Sequence, residues 1–254
     1  MRVRVKPHAL SEDAALAALT AMERGRLDHI ARSIPPEHTA APGLPVTAIS
    51  LRGRSLLIRW VAFVAAAEAL GFAFPAVAGA TTASAASSVA VPALLAAGLI
   101  EGTFLGVGQA IVLRRAKPDV SPRQWVLATA VGALFAYVLG LLPSSLGGDW
   151  SRSVTIAGAI VLGILILATI GGMQWLVLRR HVRRAYRWIL ITAGAWLLGL
   201  GVFLGFSTPL WQEGQSLTIT IGIGVLGGLL MAGVTAWVTG VGLVRMLAAD
   251  DEID

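Results

Sequence analysis

Six long apolar runs constrain the fold of this chain more than any other feature of its sequence. Their approximate limits are residues 56–78, 90–113, 125–146, 155–178, 188–207 and 217–244. Each run is long enough to cross a bilayer as an α-helix, which takes about 20 residues. Charged residues form only 13% of the chain, whereas a soluble domain carries about 25%. The sequence therefore predicts an all-α, polytopic integral membrane protein with six transmembrane helices.

The connections between these runs alternate in charge, which predicts their sidedness. Basic residues lie before the first run, in the second and fourth connections and after the last run: Arg52, Arg54, Arg114, Arg115, Lys117, Arg123, Arg179, Arg180, Arg183, Arg184, Arg187 and Arg245. Because positively charged loops stay in the cytoplasm, we expect these connections and both the N and C termini there. Eighteen Arg against two Lys, with abundant Ala and Gly, indicate a bacterial genome and hence the bacterial cytoplasmic (inner) membrane.

The chain divides by composition into three parts. Residues 1–54 form a predicted cytoplasmic segment, with one short amphipathic helix over residues 11–32 followed by a Pro-rich linker. Residues 55–246 form the predicted six-helix transmembrane domain, and residues 247–254 form an acidic tail that we expect to be solvated. The opening MRVRVKPHALSEDAAL lacks a continuous apolar stretch, so it does not predict a cleavable signal peptide.

Two nearly identical phrases predict an internal repeat. GVGQAIVLRR ends at Arg115 and GGMQWLVLRR ends at Arg180. Each odd-numbered run begins with a tryptophan, and each even-numbered run ends in aliphatic residues and an arginine. We interpret this pattern as three tandem helical hairpins, at about residues 58–115, 123–180 and 186–245. Since every hairpin enters and leaves from the same face, a pseudo-threefold axis along the membrane normal is expected.

The tryptophans and arginines at the hairpin ends predict contacts with the membrane surface. Trp60, Trp125 and Trp188 are expected to be interface anchors, since tryptophan is enriched where the bilayer meets water. Basic clusters beside a membrane attract anionic lipid headgroups. The candidate contacts for such headgroups are Arg114, Arg115, Arg179, Arg180, Arg183 and Arg184.

The two phrases also carry a resemblance. They resemble the G-x-x-Q-W-x-V-L-R motifs repeated in a group of uncharacterised bacterial multi-span membrane proteins, over roughly residues 58–246. This resemblance implies a membrane location and no particular activity. The first phrase departs from the motif at Ala110, where the second has tryptophan. Three hairpins are also the outline of mitochondrial carriers, but the Pro-x-acidic-x-x-basic signature of carriers is absent.

Two acidic residues inside the predicted spans are the first candidate site. Glu68 lies 14 residues from Arg54, and Glu101 lies 13 residues from Arg114. At about 1.5 Å per helical residue, both lie roughly 20 Å from the Arg-rich edge. A charge at that depth costs at least a few kcal/mol, so such acids usually serve a proton relay, a cation site or substrate recognition. The alternative is a protonated carboxyl that only bonds helices together.

Two glutamines form the second candidate site. Gln109 and Gln174 each lie five residues before an Arg pair, at equal depth, and Gly240 has the same spacing from Arg245. We expect the two amides to bond helices to each other; the alternative is that they line a cytoplasmic vestibule. Hydroxyl side chains inside the spans are expected to bond to their own helix backbone. These are Thr103, Thr129, Thr169, Thr192, Thr235 and Thr239.

Several classes of function lack the residues that they need. The chain has no cysteine and its four histidines lie outside the apolar runs, so we expect no cofactor and no metal site. GxxxxGK[ST], HExxH and the Ser–Lys or paired-Asp patterns of intramembrane proteases are missing, so no catalytic residue and no enzymatic activity are predicted. The net charge of +6 arises at the ends of the apolar runs, which indicates contact with lipid and not with nucleic acid.

Two functions remain open on the sequence alone. The first is a membrane scaffold, sensor or accessory protein that has a protein partner or forms a homo-oligomer. The second is a small proton- or cation-coupled transporter or channel that uses Glu68 and Glu101. A water-accessible cavity that reaches both acids favours transport, whereas a tightly packed centre favours a scaffold.

Overall fold

The computed structural model describes residues 17, 20–26, 29, 51–146 and 151–251. Residues 1–48 and 49–254 form two separate compact units. In the first unit, residues 20–26 are helical and exposed, within the helix predicted over residues 11–32. The rest of that predicted helix, apart from residues 17 and 29, and the Pro-rich linker lie outside the described residues.

The second unit consists of six long α-helices, and its described residues contain no strand. This confirms the predicted all-α class, and each of the six helices is long and apolar enough to cross a membrane. Most of the helices extend about a turn beyond the predicted runs, because the flanking residues are helix-compatible. The bounds are α1 Gly53–Thr82, α2 Ser87–Ala116, α3 Pro122–Leu146, α4 Arg152–Leu178, α5 Arg187–Leu210 and α6 Leu217–Asp251.

The six helices form a closed ring in chain order. Each helix packs against its neighbours in the sequence, and α6 also packs against α1. No other pair among these described helices packs backbone against backbone. Short connections place consecutive helices side by side and antiparallel, so the order of the ring follows from the connection lengths.

Glycine allows the closest approach between neighbouring helices. A Cβ atom at Gly102 would lie 2.9 Å from the Cα of Ala130, and one at Gly106 would lie 2.9 Å from the Cα of Val126. These two glycines are four residues apart and therefore share one face of α2. Small residues at such a spacing let two backbones pack directly against each other, and here they join α2 to α3.

Packing is much tighter at one end of the bundle than at the other. The buried apolar cluster includes Leu56, Leu113 and Leu178, which lie near the Arg-rich ends of their helices. At the opposite end, every residue from 151 to 161 is exposed, on all faces of α4. A helix held in a bundle has one buried face, so this part of α4 has no tightly packed neighbour.

The chain end differs from the solvated tail predicted over residues 247–254. Helix α6 continues to Asp251. Asp250 Oδ1 accepts a hydrogen bond from the backbone N–H of Arg183 at 3.1 Å, and Asp250 Oδ2 lies 3.7 Å from Nζ of Lys117. The acid is held because two basic connections meet it, and it joins α6 to the α2–α3 and α4–α5 connections. Residues 252–254 lie outside the described part of the chain.

Two glycines on α3 allow a direct test of close helix packing. A Cβ atom at Gly132 would lie 2.7 Å from the Cα of Ile170 on α4, whereas one at Gly140 would meet nothing within 4 Å. We expect Gly132→Ala to lower the free energy of unfolding by about 1–3 kcal/mol because the backbones must separate. Gly140→Ala should be neutral or raise it by up to about 1 kcal/mol through helix propensity. Thermal unfolding in detergent measures both, and equal midpoints would contradict the packing described.

Candidate functional site

Three tryptophans fill the centre of the ring near its Arg-rich end. Trp60, Trp125 and Trp188 lie near the starts of α1, α3 and α5, and each is 0% exposed. The ring centroid of Trp188 lies 6.0 Å from that of Trp60 and 5.9 Å from that of Trp125. The prediction that these residues are interface anchors is therefore wrong. They lie at the expected depth but face inward, where a ring of six helices leaves a space that only large side chains fill.

Each of these indoles donates a hydrogen bond to the preceding helix of the ring. Trp125 Nε1 donates to Gln109 Oε1 at 3.0 Å, and Trp188 Nε1 donates to Gln174 Oε1 at 2.7 Å. Trp60 Nε1 donates to the hydroxyl of Thr239 at 3.0 Å. A buried indole N–H usually requires an acceptor, so these three bonds satisfy all three tryptophans without water.

The two glutamines are bonded directly to each other. Gln174 Nε2 donates to Gln109 Oε1 at 2.7 Å and to Thr129 Oγ1 at 2.8 Å. Their side chains are 3% (Gln109) and 0% (Gln174) exposed. This bond joins α2 to α4, and both amides are shielded from water. We call these three tryptophans and two glutamines the Trp–Gln layer.

The third acceptor differs from the residue that the sequence indicated. Counting back from Arg245 pointed to Gly240, but the partner of Trp60 is Thr239. Thr239 lies 65 residues after Gln174, as Gln174 lies 65 after Gln109, and this spacing was the signal that could have found it. Thr239 also bonds to the backbone of its own helix, as expected.

Two other threonines do not follow the expectation for hydroxyl groups in the spans. The Oγ1 atoms of Thr192 and Thr235 are buried and have no hydrogen-bond partner among the described residues. Thr192 lies on α5 four residues after Trp188, as Thr129 lies on α3 four residues after Trp125. Thr129 accepts from Gln174, whereas Thr192 has no amide beside it.

The two acids lie where α1 and α2 cross closely. A Cβ atom at Gly71, one turn beyond Glu68, would lie 3.1 Å from the backbone oxygen of Glu101. Glu68 is 1% exposed, and neither of its carboxyl oxygens has a partner among the residues described.

Glu101 has a partner that the sequence analysis missed. Its Oε2 accepts a hydrogen bond from the hydroxyl of Tyr137 on α3 at 2.6 Å. Gly98 makes room for this arrangement, because the Tyr137 ring lies directly against its Cα. Tyr137 is one of only two tyrosines in the chain, and its position inside a predicted span was the available signal.

A cavity of about 370 Å³ adjoins the Trp–Gln layer on the side away from the arginines. Its lining includes Leu105 and Ile170, which lie four residues before Gln109 and Gln174, respectively. All six helices contribute to it, and one residue from each is Phe72, Glu101, Tyr137, Ile166, Trp196 and Met231. The lining is apolar except at Glu101 and Tyr137, and Glu68 is not part of it.

The candidate lipid contacts all lie on the outside of the protein. Arg114, Arg115, Arg179, Arg180, Arg183 and Arg184 are exposed. The guanidinium of Arg179 lies 5.0 Å from the centre of the Trp175 ring, a cation–π contact that orients the side chain without removing its charge. No group of three or more His, Asp or Glu side chains in the described part of the chain is placed to hold a metal ion.

No family model, curated protein or solved structure matches this chain. The resemblance to bacterial multi-span proteins with G-x-x-Q-W-x-V-L-R motifs therefore stays a prediction. The function has to be argued from the Trp–Gln layer, the two acids and the cavity.

Removal of one amide tests how much the Trp–Gln layer stabilises the bundle. We expect Gln174→Leu to lower the free energy of unfolding by about 1–3 kcal/mol, because it leaves the N–H of Trp188 without an acceptor in a buried place. Gln124→Leu on α3 is the matched control, since Gln124 is exposed. Thermal unfolding in detergent compares the two variants with wild type. A Gln174→Leu midpoint equal to that of Gln124→Leu would show that the layer contributes no stability.

Proposed function

We propose that the protein is a non-transporting membrane scaffold, sensor or accessory protein. The observation that carries this proposal is the Trp–Gln layer, which fills the ring at its Arg-rich end. Water enters a protein interior where polar groups remain to bind it. Here each indole N–H group donates to a glutamine or threonine side chain, and the Gln174 amide donates to Gln109, so the layer blocks a path for ions.

We infer that the Arg-rich end faces the cytoplasm of a bacterium and that both termini lie there. The contacts of Asp250 support placing these segments on the same side of the membrane. They bring together the α2–α3 connection, the α4–α5 connection and the end of α6. The exposed arginines at this end agree with the positive-inside rule. They supply a surface for anionic lipid headgroups or for an acidic protein partner.

We also propose that the six helices are three tandem hairpins related by a pseudo-threefold axis. Three bonds of the same kind support this, since each odd-numbered helix donates from a tryptophan to the helix before it in the ring. Close contacts repeat as well. A Cβ atom at Gly106 would lie 2.9 Å from the Cα of Val126, and one at Gly171 would lie 3.0 Å from the Cα of Ile189.

A proton- or cation-coupled transporter is the second candidate function. It is favoured by Glu101, which lines the cavity, and by Glu68, which is buried without a hydrogen-bond partner among the described residues. Buried acids in a membrane often belong to a proton or cation path. For transport, however, the Trp–Gln layer would have to open, since it lies between the cavity and the Arg-rich end.

The orientation can be tested with single cysteines, because the natural chain has none. Gln212 lies in the α5–α6 connection and Asp119 in the α2–α3 connection, and both are exposed. We expect a membrane-impermeant maleimide to label Gln212→Cys in intact cells. Asp119→Cys should be labelled only after the membrane is permeabilised. The reverse labelling pattern would place the Arg-rich end outside the cell.

The sealed bundle is tested by proton flux into proteoliposomes, driven by a potassium gradient with valinomycin. We expect wild type and Glu101→Gln to give the same background flux. Trp188→Ala should raise the flux above background, because Trp188 contacts both of the other indoles. Trp237→Ala is the control, since Trp237 is 56% exposed.

One result would replace the proposed function with the second candidate. This result is a wild-type flux above that of empty liposomes, reduced to background by Glu101→Gln. The same variant of an exposed acid, Glu213→Gln, should then leave the flux unchanged.

A further inference from the structure

The cavity beside the Trp–Gln layer has the dimensions of a ligand site. Its volume of about 370 Å³ lies within the range of roughly 300–1,000 Å³ that small-molecule sites occupy. Such sites are mostly apolar and contain a few polar groups that orient the ligand. Glu101 and Tyr137 are the polar groups here, and they are bonded to each other.

Four aromatic rings line this cavity. They come from α1, α3 and α5, which alternate around the ring of helices: Phe72, Tyr137, Trp196 and Phe203. Phe72 and Phe203 meet edge to face, with centroids 6.4 Å apart, although their helices do not pack together. Aromatic faces attract organic cations, and quaternary ammonium groups are commonly held in cages of such rings.

Glu101 offers a free acceptor to the cavity. The residue is 8% exposed, so more than nine-tenths of it is buried. Tyr137 bonds to Oε2 and fixes the carboxyl group, while Oε1 has no hydrogen-bond partner among the described residues. An acid held in this way is a counter-ion for a single positive charge.

The charges around the cavity favour a cation over other ligands. The nearby carboxyl group of Glu68 has no basic partner in the described part of the chain, and neither has that of Glu101. An anion would find no positively charged partner among these residues. A lipid acyl chain is apolar and forms no favourable pair with a carboxyl group. A metal ion needs more ligands than one carboxyl and one hydroxyl group supply.

We propose that this cavity binds a small lipophilic ammonium ion, with Glu101 as its counter-ion and the aromatic rings as its cage. The inference extends the proposed function, because a site closed by the Trp–Gln layer binds a ligand without passing it to the Arg-rich side. The ligand reaches the site past α4, where residues 151–161 pack tightly against no other helix. An amphiphilic cation collects at the bilayer surface and approaches from there.

Binding of radiolabelled benzyltrimethylammonium tests this inference. The protein is placed in nanodiscs of zwitterionic lipid, and the counts in empty nanodiscs are subtracted. We expect saturable binding of one cation per protein. Glu101→Gln keeps the shape of the side chain and removes its charge, so it should weaken binding by about tenfold or more. Glu213→Gln, which changes an exposed acid, should bind as wild type does.

Two further measurements separate charge recognition from filling of an apolar space. Neopentylbenzene has the shape of the probe without its charge, and it should not displace the probe at equal concentration. Ala136→Phe fills the cavity from its wall and should weaken binding while Glu101 stays in place. If Glu101→Gln fails to fold, the Ala136→Phe variant still tests whether the cation binds in this cavity.

Three results would overturn the proposal. They are the absence of saturable binding to wild type, equal affinity in wild type and Glu101→Gln, and equal competition by neopentylbenzene. These outcomes are independent of the flux measurement. Proton flux through the wild-type protein would disprove the non-transporting function but not the cation site. Absence of cation binding would disprove the site but not the non-transporting function.

Discussion

The need of three buried indole N–H groups for hydrogen-bond acceptors governs how the six helices pack. An unpaired polar group is costly away from water, and the bilayer core offers no partner. Each tryptophan therefore requires a polar side chain at the same depth on the neighbouring helix, which sets the register of α1 against α6, α3 against α2 and α5 against α4. The contacts at the Arg-rich end and the cavity on the other side follow from that register.

Length and hydropathy were enough to predict the six helices, because both are local properties of a segment. The bond between Gln109 and Gln174 was also predictable, since the two amides share one depth. The direction in which a side chain points around its helix axis could not be predicted from the sequence. Depth can be counted along the sequence, but whether Trp125 faces lipid or the bundle depends on how the neighbouring helices pack.

The same limit explains Thr239 and Tyr137. A shift of one residue turns a side chain by about 100° around a helix, so counting from Arg245 selected Gly240 instead of the residue that faces Trp60. Tyr137 meets Glu101 because Gly98 lets the aromatic ring approach α2. That contact joins residues 36 positions apart, and no spacing rule within one helix reveals it.

The hydrogen bonds of the Trp–Gln layer form an open chain and not a circle. Donation runs from Trp188 to Gln174 and on to Gln109, but the third position holds Thr239, whose side chain is too short to continue it. The hydroxyl groups of Thr192, which faces Gly171 on α4, and of Thr235, which faces Gly199 on α5, have no hydrogen-bond partner among the described residues. Helices α5 and α6 are therefore held together by packing alone, without a side-chain hydrogen bond between them among the described residues.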